Sequence, residues 1–163
     1  MLDDLVVNLQ KVINGEEPEE DNESEEKVDG KDKKSEIDIR MMPPGIMAYV
    51  GDGVYELVVR NHFVQKGIFN SNNLHSKVIE FVNATAQADI VRYIEDHLTK
   101  EEKIILRRGR NSNAGNVPQN ANVSDYRYST AFEAVIGYLF LQQEYDRIGI
   151  LISLIEEYIE KNV

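Results

Sequence analysis

Asp52 and Glu133 are the residues of this sequence whose types and settings could do chemistry, because each interrupts an apolar stretch that reads as helix. Asp52 lies in Tyr49-Val50-Gly51-Asp52-Gly53-Val54-Tyr55-Glu56, and Glu133 in the run from Ser129 to Leu141, where it is the only charged residue. An ionised carboxylate buried without a partner is costly, so such a group neutralises, finds a base or takes a metal. The one-turn neighbours of Glu133 (Ser129, Thr130, Ile136, Gly137) supply no base. The bland alternative is a structural glutamate paired with Arg127 or Arg60. Asp52 sits between two glycines, each costing about 1 kcal/mol in a helix relative to alanine. That pair points to close backbone approach, by another helix or by a ligand. Glu56, one turn on and about 40° around the axis, shares the face of Asp52 and reads more simply as a surface acid.

Two carboxylates from different helices suit Mg²⁺, a hard cation that takes oxygen ligands and keeps several waters. Beside a phosphodiester such an ion activates a water and stabilises the leaving oxygen, with no side-chain nucleophile needed. Other chemistries fit poorly. Cysteine is absent, which removes thiolate ligands, thiol nucleophiles and disulfides. His62, His75 and His97 lack zinc-like spacing, and there is no phosphate-binding glycine loop or serine elbow.

A basic element precedes Glu133. Arg107-Arg108-Gly109-Arg110-Asn111 ends a helix and opens a polar loop over 111–125, and Arg127 follows in Tyr126-Arg127-Tyr128. Arginine pairs bidentately with phosphate, and asparagine adds neutral contacts. Arginines also complement a helix C-terminus, but three in four residues exceed that need. The tyrosines could stack on a ligand or could be core residues with wet tips. The net charge of −11 argues against a polyanionic partner only until its distribution is considered. Residues 14–36 hold eleven acids against four lysines, whereas residues 103–127 hold five bases against Asp125 alone. Local field governs phosphate binding more than net charge does.

The elements that must position these groups read as helices throughout. Residues 1–13 have apolar spacing of three and four, which predicts a short amphipathic helix. Residues 14–36 are too polar to offset their ordering entropy and read as a disordered acidic linker. A first helix enters at Pro43-Pro44 and runs to about Lys66, stopped by Gly67, with Ile46, Tyr49, Val50, Val54, Leu57, Val58 and Val64 as its apolar face. Ser71-Asn72-Asn73 caps a second, from Leu74 to about Asn83. A third passes through Ile90, Val91, Ile94 and Leu98. Thr99 and Glu102 form a capping box for a fourth. The fifth starts near Ser129 and ends near Gln142, and the sixth spans Tyr145 to about Glu160. Strand signals are weak. The expectation is an all-α domain over 37–163.

The lack of cysteine suits a reducing cytoplasm. Met1-Leu2-Asp3-Asp4 does not read as a secretory signal, and no apolar run approaches the roughly 20 residues that span a bilayer. A cytoplasmic protein with no membrane partner is expected.

Gly51-Asp52-Gly53-Val54 resembles the Gly-Asp-Ala-Val stretch of the ribonuclease III signature helix, and Phe132-Glu133-Ala134-Val135-Ile136-Gly137 resembles that family's Phe-Glu-Ala-x-Ile-Gly helix. With Arg107-Arg108-Gly109-Arg110-Asn111 and the stretch from Tyr126 to Glu133 added, the chain is similar over about residues 40–160 to the family's compact branch, Mini-ribonuclease III, which lacks an appended double-stranded-RNA-binding domain. The resemblance implies an all-helical, homodimeric bundle that cuts double-stranded RNA with Mg²⁺, leaving 5′-phosphate and 3′-hydroxyl ends. It further implies a role in maturing the 23S ribosomal RNA precursor, with a ribosomal protein or the assembling ribosome as a further partner. By position Asp52 matches the family's catalytic aspartate and Glu133 its metal-binding glutamate, and Arg107, Arg108, Arg110, Asn111 and Arg127 are the residues expected on RNA. Two family carboxylates are replaced here, by Ala48 and Thr130, and Gly53 stands where alanine is usual. Those losses support a rival, a catalytically inactive RNA-binding or ribosome-associated protein on the same scaffold. A second rival is a helical protein-interaction module.

Overall fold

The computed structural model describes residues 38–112, 117 and 122–162. The amphipathic helix expected over 1–13 and the acidic linker over 14–36 lie outside the described residues.

Proline and glycine set the limits of the first helix, α1, Pro44–Gln65. Pro44 occupies its first turn, where a missing N–H costs nothing. At the other end Gly67 adopts φ +85°, and the N–H groups of Gly67 and Ile68 return to the carbonyls of Val64 and Phe63 at 2.9 and 3.1 Å, a Schellman closure. Asn70 caps α2, Ser71–Val82, through the N–H groups of Asn72 and Asn73. The helix thus begins at Ser71, three residues before the expected Leu74, because the capping asparagine is the one ahead of the expected cluster. Asn83 caps α3, Ala84–Ile94, which gives way to a 3₁₀ turn at Glu95–His97 before Leu98. The capping box at Thr99 and Glu102 opens α4, Lys100–Asn111, as expected.

The fifth helix, α5, is Val123–Leu141 and starts six residues before Ser129. Asn122 is its cap, accepting from the N–H groups of Ser124 and Asp125 at 2.9 and 3.3 Å, so Tyr126, Arg127 and Tyr128 are helical rather than part of a loop. The last helix, α6, is Tyr145–Asn162. Among the described residues there is no strand, and no helix is long and apolar enough to cross a membrane. The domain is all-α, as the sequence predicts.

The core forms around α5, which is apolar on every side and buries Ala131, Phe132, Ala134, Val135, Ile136, Tyr138 and Leu139. A helix without a polar face must be surrounded, and α1, α3, α4 and α6 all pack on it. From α1 come Met47, Tyr55, Val58, Val59 and Phe63. The Tyr55 ring meets Phe132 edge-on at 4.8 Å, and its hydroxyl donates to the carbonyl of Phe81 at 3.0 Å, so this fully buried phenol is satisfied. The expected apolar face of α1 is partly wrong: Ile46, Tyr49, Leu57 and Val64 are exposed. The helix carries apolar side chains all round, and periodicity could not say which side would be covered.

Candidate active site

Glycine brings the two carboxylate-bearing helices together. A Cβ on Gly51 would lie 1.8 Å from the carbonyl oxygen of Glu133 and 2.6 Å from the amide nitrogen of Gly137. A Cβ on Gly137 would lie 1.8 Å from the carbonyl oxygen of Met47. Helices α1 and α5 therefore touch backbone to backbone at this crossing. Asp52 is the residue after Gly51, and Glu133 lies one turn before Gly137, so the contact sets both carboxylates beside the same joint. Gly53 differs from Gly51: a Cβ there would meet nothing within 4 Å, and the helix is open at that point. Of the two glycines flanking Asp52, one serves helix packing and the other borders free space.

The electrostatics show that the carboxylates share a neighbourhood. Burial pushes Glu133 up to about 7, and the negative charge of Asp52 adds to the rise. Asp52, an exposed residue of α1, is itself raised, by its partial burial and then by Glu56. Among the described residues no base pairs with either group. Arg60 bonds Glu56 at 2.7 Å, Arg127 is exposed, and Glu133 makes no ion pair among the described residues. Neither Arg60 nor Arg127, the partners named for a structural glutamate, pairs with Glu133 among the described residues.

The residues fit a hard cation. Two adjacent carboxylates with no base between them are a site of negative potential that a divalent ion would relieve. Ala48 is buried and Thr130 donates to the carbonyl of Tyr126 at 3.1 Å, so neither adds an acidic ligand. Among the described residues no group of three or more histidines, cysteines or carboxylates could hold a metal. Water or substrate oxygens would have to fill the remaining positions.

A third side chain at this joint belongs to no sequence motif. Gln87 of α3 is 1 % exposed, and neither atom of its amide completes a hydrogen bond of normal geometry. It lies close enough to Glu133 to oppose the rise in that group's pKa. A buried polar group left unsatisfied costs roughly 1–3 kcal/mol. The available clue was its register with Ile90, Val91 and Ile94, which made it the polar member of an apolar stripe.

The basic residues divide into two groups. Lys103, Arg107 and Arg110 line a small cleft of about 100 Å³ with Glu95, Leu106 and Tyr128. Arg110 donates to the Tyr128 hydroxyl at 3.3 Å, and Arg92 stands over the Tyr128 ring at 5.2 Å. Asp125, the acid within the basic stretch, is held by Arg92 at 3.0 Å and Thr85 at 3.3 Å, which ties the start of α5 to α3. Arg107, Asn111 and Arg127 are exposed. Arg108 is placed differently: its guanidinium donates to the backbone carbonyls of Arg40 and Met42, and pins the segment before α1 onto α4. Along α5 the cleft at Tyr128 and the carboxylate of Glu133 are five residues apart, roughly 8 Å of helix axis.

The Ribonuclease III domain family model matches residues 46–144. A Mini-ribonuclease 3 of Clostridium tetani is 40% identical over 119 residues, covering 72% of this chain and 79% of that protein. One from Symbiobacterium thermophilum is 37% identical over 120 residues, covering 74% and 92%. A crystal structure of a Fusobacterium nucleatum protein superposes with a TM-score of 0.67 at 32% identity, covering 74% of this chain and 96% of that one. The chain belongs to the ribonuclease III family, whose members act on double-stranded RNA with a divalent metal ion. Its curated relatives place it in the compact branch, Mini-ribonuclease III, and it is an endoribonuclease of that type.

Proposed function

We propose that the domain over 37–163 is a Mg²⁺-dependent endonuclease for double-stranded RNA, with Asp52 and Glu133 as its metal ligands and catalytic carboxylates. The observation that carries this reading is the coupled, base-free pair at the α1–α5 crossing. When bound, the ion would place positive charge beside the scissile phosphate and supply an acidified water. Hydrolysis forms a bond from the water oxygen to phosphorus and breaks the bond to the 3′ oxygen, leaving 5′-phosphate and 3′-hydroxyl ends. Arg107, Arg110 and Arg127, with Asn111, hold the phosphates of an A-form duplex, whose recognition depends on shape and on 2′-hydroxyls more than on base sequence. Arg108 supports that surface by fixing the segment before α1.

A homodimer would present one Asp52/Glu133 pair to each strand. Exposed Met41, Ile46 and Tyr49 offer apolar surface for such an interface. The setting we assign is cytoplasmic maturation of the 23S ribosomal RNA precursor, in company with the assembling ribosome or a ribosomal protein.

Incubation of the purified protein with a duplex RNA, with and without Mg²⁺, tests the reaction. Cleavage only with the ion, and its loss in Asp52→Asn with duplex binding retained, is the expected result. A duplex bound but intact in every tube would leave a binding protein instead.

A further inference from the structure

Gln87 carries a donor and an acceptor into the interior, where neither amide atom completes a hydrogen bond of normal geometry among the described residues. A leucine or methionine would fill the same volume without that cost. Gln87 is buried on the same helix as Ala88, Ile90 and Val91, and its amide is close enough to Glu133 to act on that group. We propose that Gln87 is a positioning residue for Glu133. Its amide N–H would donate to the ionised carboxylate and hold it in the orientation that a cation needs.

A neutral amide suits this place better than a base would. A lysine or arginine would neutralise Glu133 and compete with the cation for it, whereas an amide orients the carboxylate and leaves its charge free. The α3 register supports the assignment. Asn83 caps the helix through the Ala86 N–H, and the Gln87 backbone N–H bonds the Asn83 carbonyl at 3.0 Å. The backbone from which the amide projects is fixed in the first turn. Residues that hold a metal-binding group in place typically alter metal affinity by about 10–100-fold when removed.

This inference rests on reading Asp52 and Glu133 as a divalent-cation site, and the test separates the two. Binding of Mn²⁺ to the full chain is measured by titration, without RNA, for the wild type, Glu133→Gln, Gln87→Leu and Gln87→Met, with thermal melting of each without metal. The expected result is Mn²⁺ binding by the wild type, its loss in Glu133→Gln, and affinity weakened by about tenfold or more in both Gln87 variants, which melt no lower than wild type. Should Gln87→Leu fail to fold, Gln87→Met, with its flexible side chain, carries the measurement. Unchanged Mn²⁺ affinity in a folded Gln87 variant, with binding still lost in Glu133→Gln, overturns the role of Gln87 alone. No Mn²⁺ binding by the wild type overturns the cation site and this inference with it.

Discussion

At the start of α4, Glu102 is 3 % exposed and gives its two carboxylate oxygens to Arg147 at 2.7 and 2.8 Å, with the Thr99 N–H as a further donor at 2.8 Å. At the α1–α5 crossing, Glu133 is partly buried and makes no ion pair among the described residues. Burial alone would raise Glu102, but Arg147 and Thr99 outweigh it and hold the group below its ordinary value. Glu133 has burial and Asp52 acting together and rises to about 7. One glutamate is built into the fold with its charge satisfied. The other is held where its ionised form is unsatisfied, and a proton or an incoming positive charge relieves it. The first arrangement stabilises the protein; the second stores a cost, which is the usual mark of a site that binds something.

Exchanging each glutamate for glutamine should separate these roles, and it gives the largest effects. Glu133→Gln is expected to lower cleavage by at least about 10³-fold, the scale seen when a group that stabilises transition-state charge is removed, while its melting temperature at pH 8 stays level or rises. Glu102→Gln should do the opposite. Breaking a buried pair by removing one partner costs about 3–5 kcal/mol, reduced here because Arg147 is 21 % exposed, and cleavage per folded molecule should be unchanged. Thermal melts and single-turnover rates on the same preparations would show both. Equal losses of stability from the two substitutions would erase the distinction.

Gly51→Ala comes next. Its new methyl would fall 1.8 Å from the Glu133 carbonyl oxygen, a backbone atom that cannot swing aside. The helices must part, and the expected loss is about 3 kcal/mol or more, the range of severe overpacking. Urea unfolding measures it. A variant as stable as the wild type would mean that the crossing is looser than its geometry.

Some of this was legible in the residues and some was not. The limits of α1 were, because Pro43-Pro44 and Gly67 act locally. Its buried face was not, since Ile46 and Tyr49 look as apolar as Met47 and Tyr55, and only the path of α5 decides which are covered. The start of α5 was hidden because Asn111, Asn113, Asn116, Asn120 and Asn122 are equally good caps on paper. The Thr99–Glu102 box was visible, its partners being three positions apart, but the Arg147 that pairs with Glu102 is 45 residues away. Asp52 and Glu133 stood out as candidates because charge inside an apolar run is conspicuous. Gln87 could not, because a single amide in a helix is ordinary until its burial is known.

The two glutamates also predict opposite responses to pH. The folded-state pKa of Glu102 is lowered, so its contribution is present above its unfolded value and is lost as pH falls through the folded one. The folded-state pKa of Glu133 is raised from 4.5 to about 7. Protonation there favours the fold, and the penalty for ionising it grows as pH rises from 4.5 and is complete above about 7. With allowance for solvent at its exposed edge, the penalty is on the order of 2 kcal/mol. A divalent cation should remove it, so millimolar Mg²⁺ should raise the melting temperature more at about pH 8 than at about pH 5.5. Glu133→Gln should abolish that difference, and Glu102→Gln should leave it. A Mg²⁺ effect equal at both pH values would detach the cation from Glu133.

The smallest effect is the sharpest check on the two glycines that flank Asp52. Gly53 stands in mid-helix with nothing near its absent Cβ, so alanine adds helix propensity and removes unfolded-state freedom. Gly53→Ala should stabilise by about 0.5–1 kcal/mol, against the large loss at Gly51. Its effect on cleavage decides what the open side of α1 is for. A methyl group there costs a ligand only if the ligand's own backbone comes within van der Waals contact of the helix. The expected outcome is cleavage within about twofold of wild type, with a duplex reaching Asp52 through its side chain and not over the bare helix backbone. If the variant is more stable yet cuts poorly, with KM raised, the space above Gly53 is occupied by RNA, and both glycines serve close approach, one to α5 and one to the substrate.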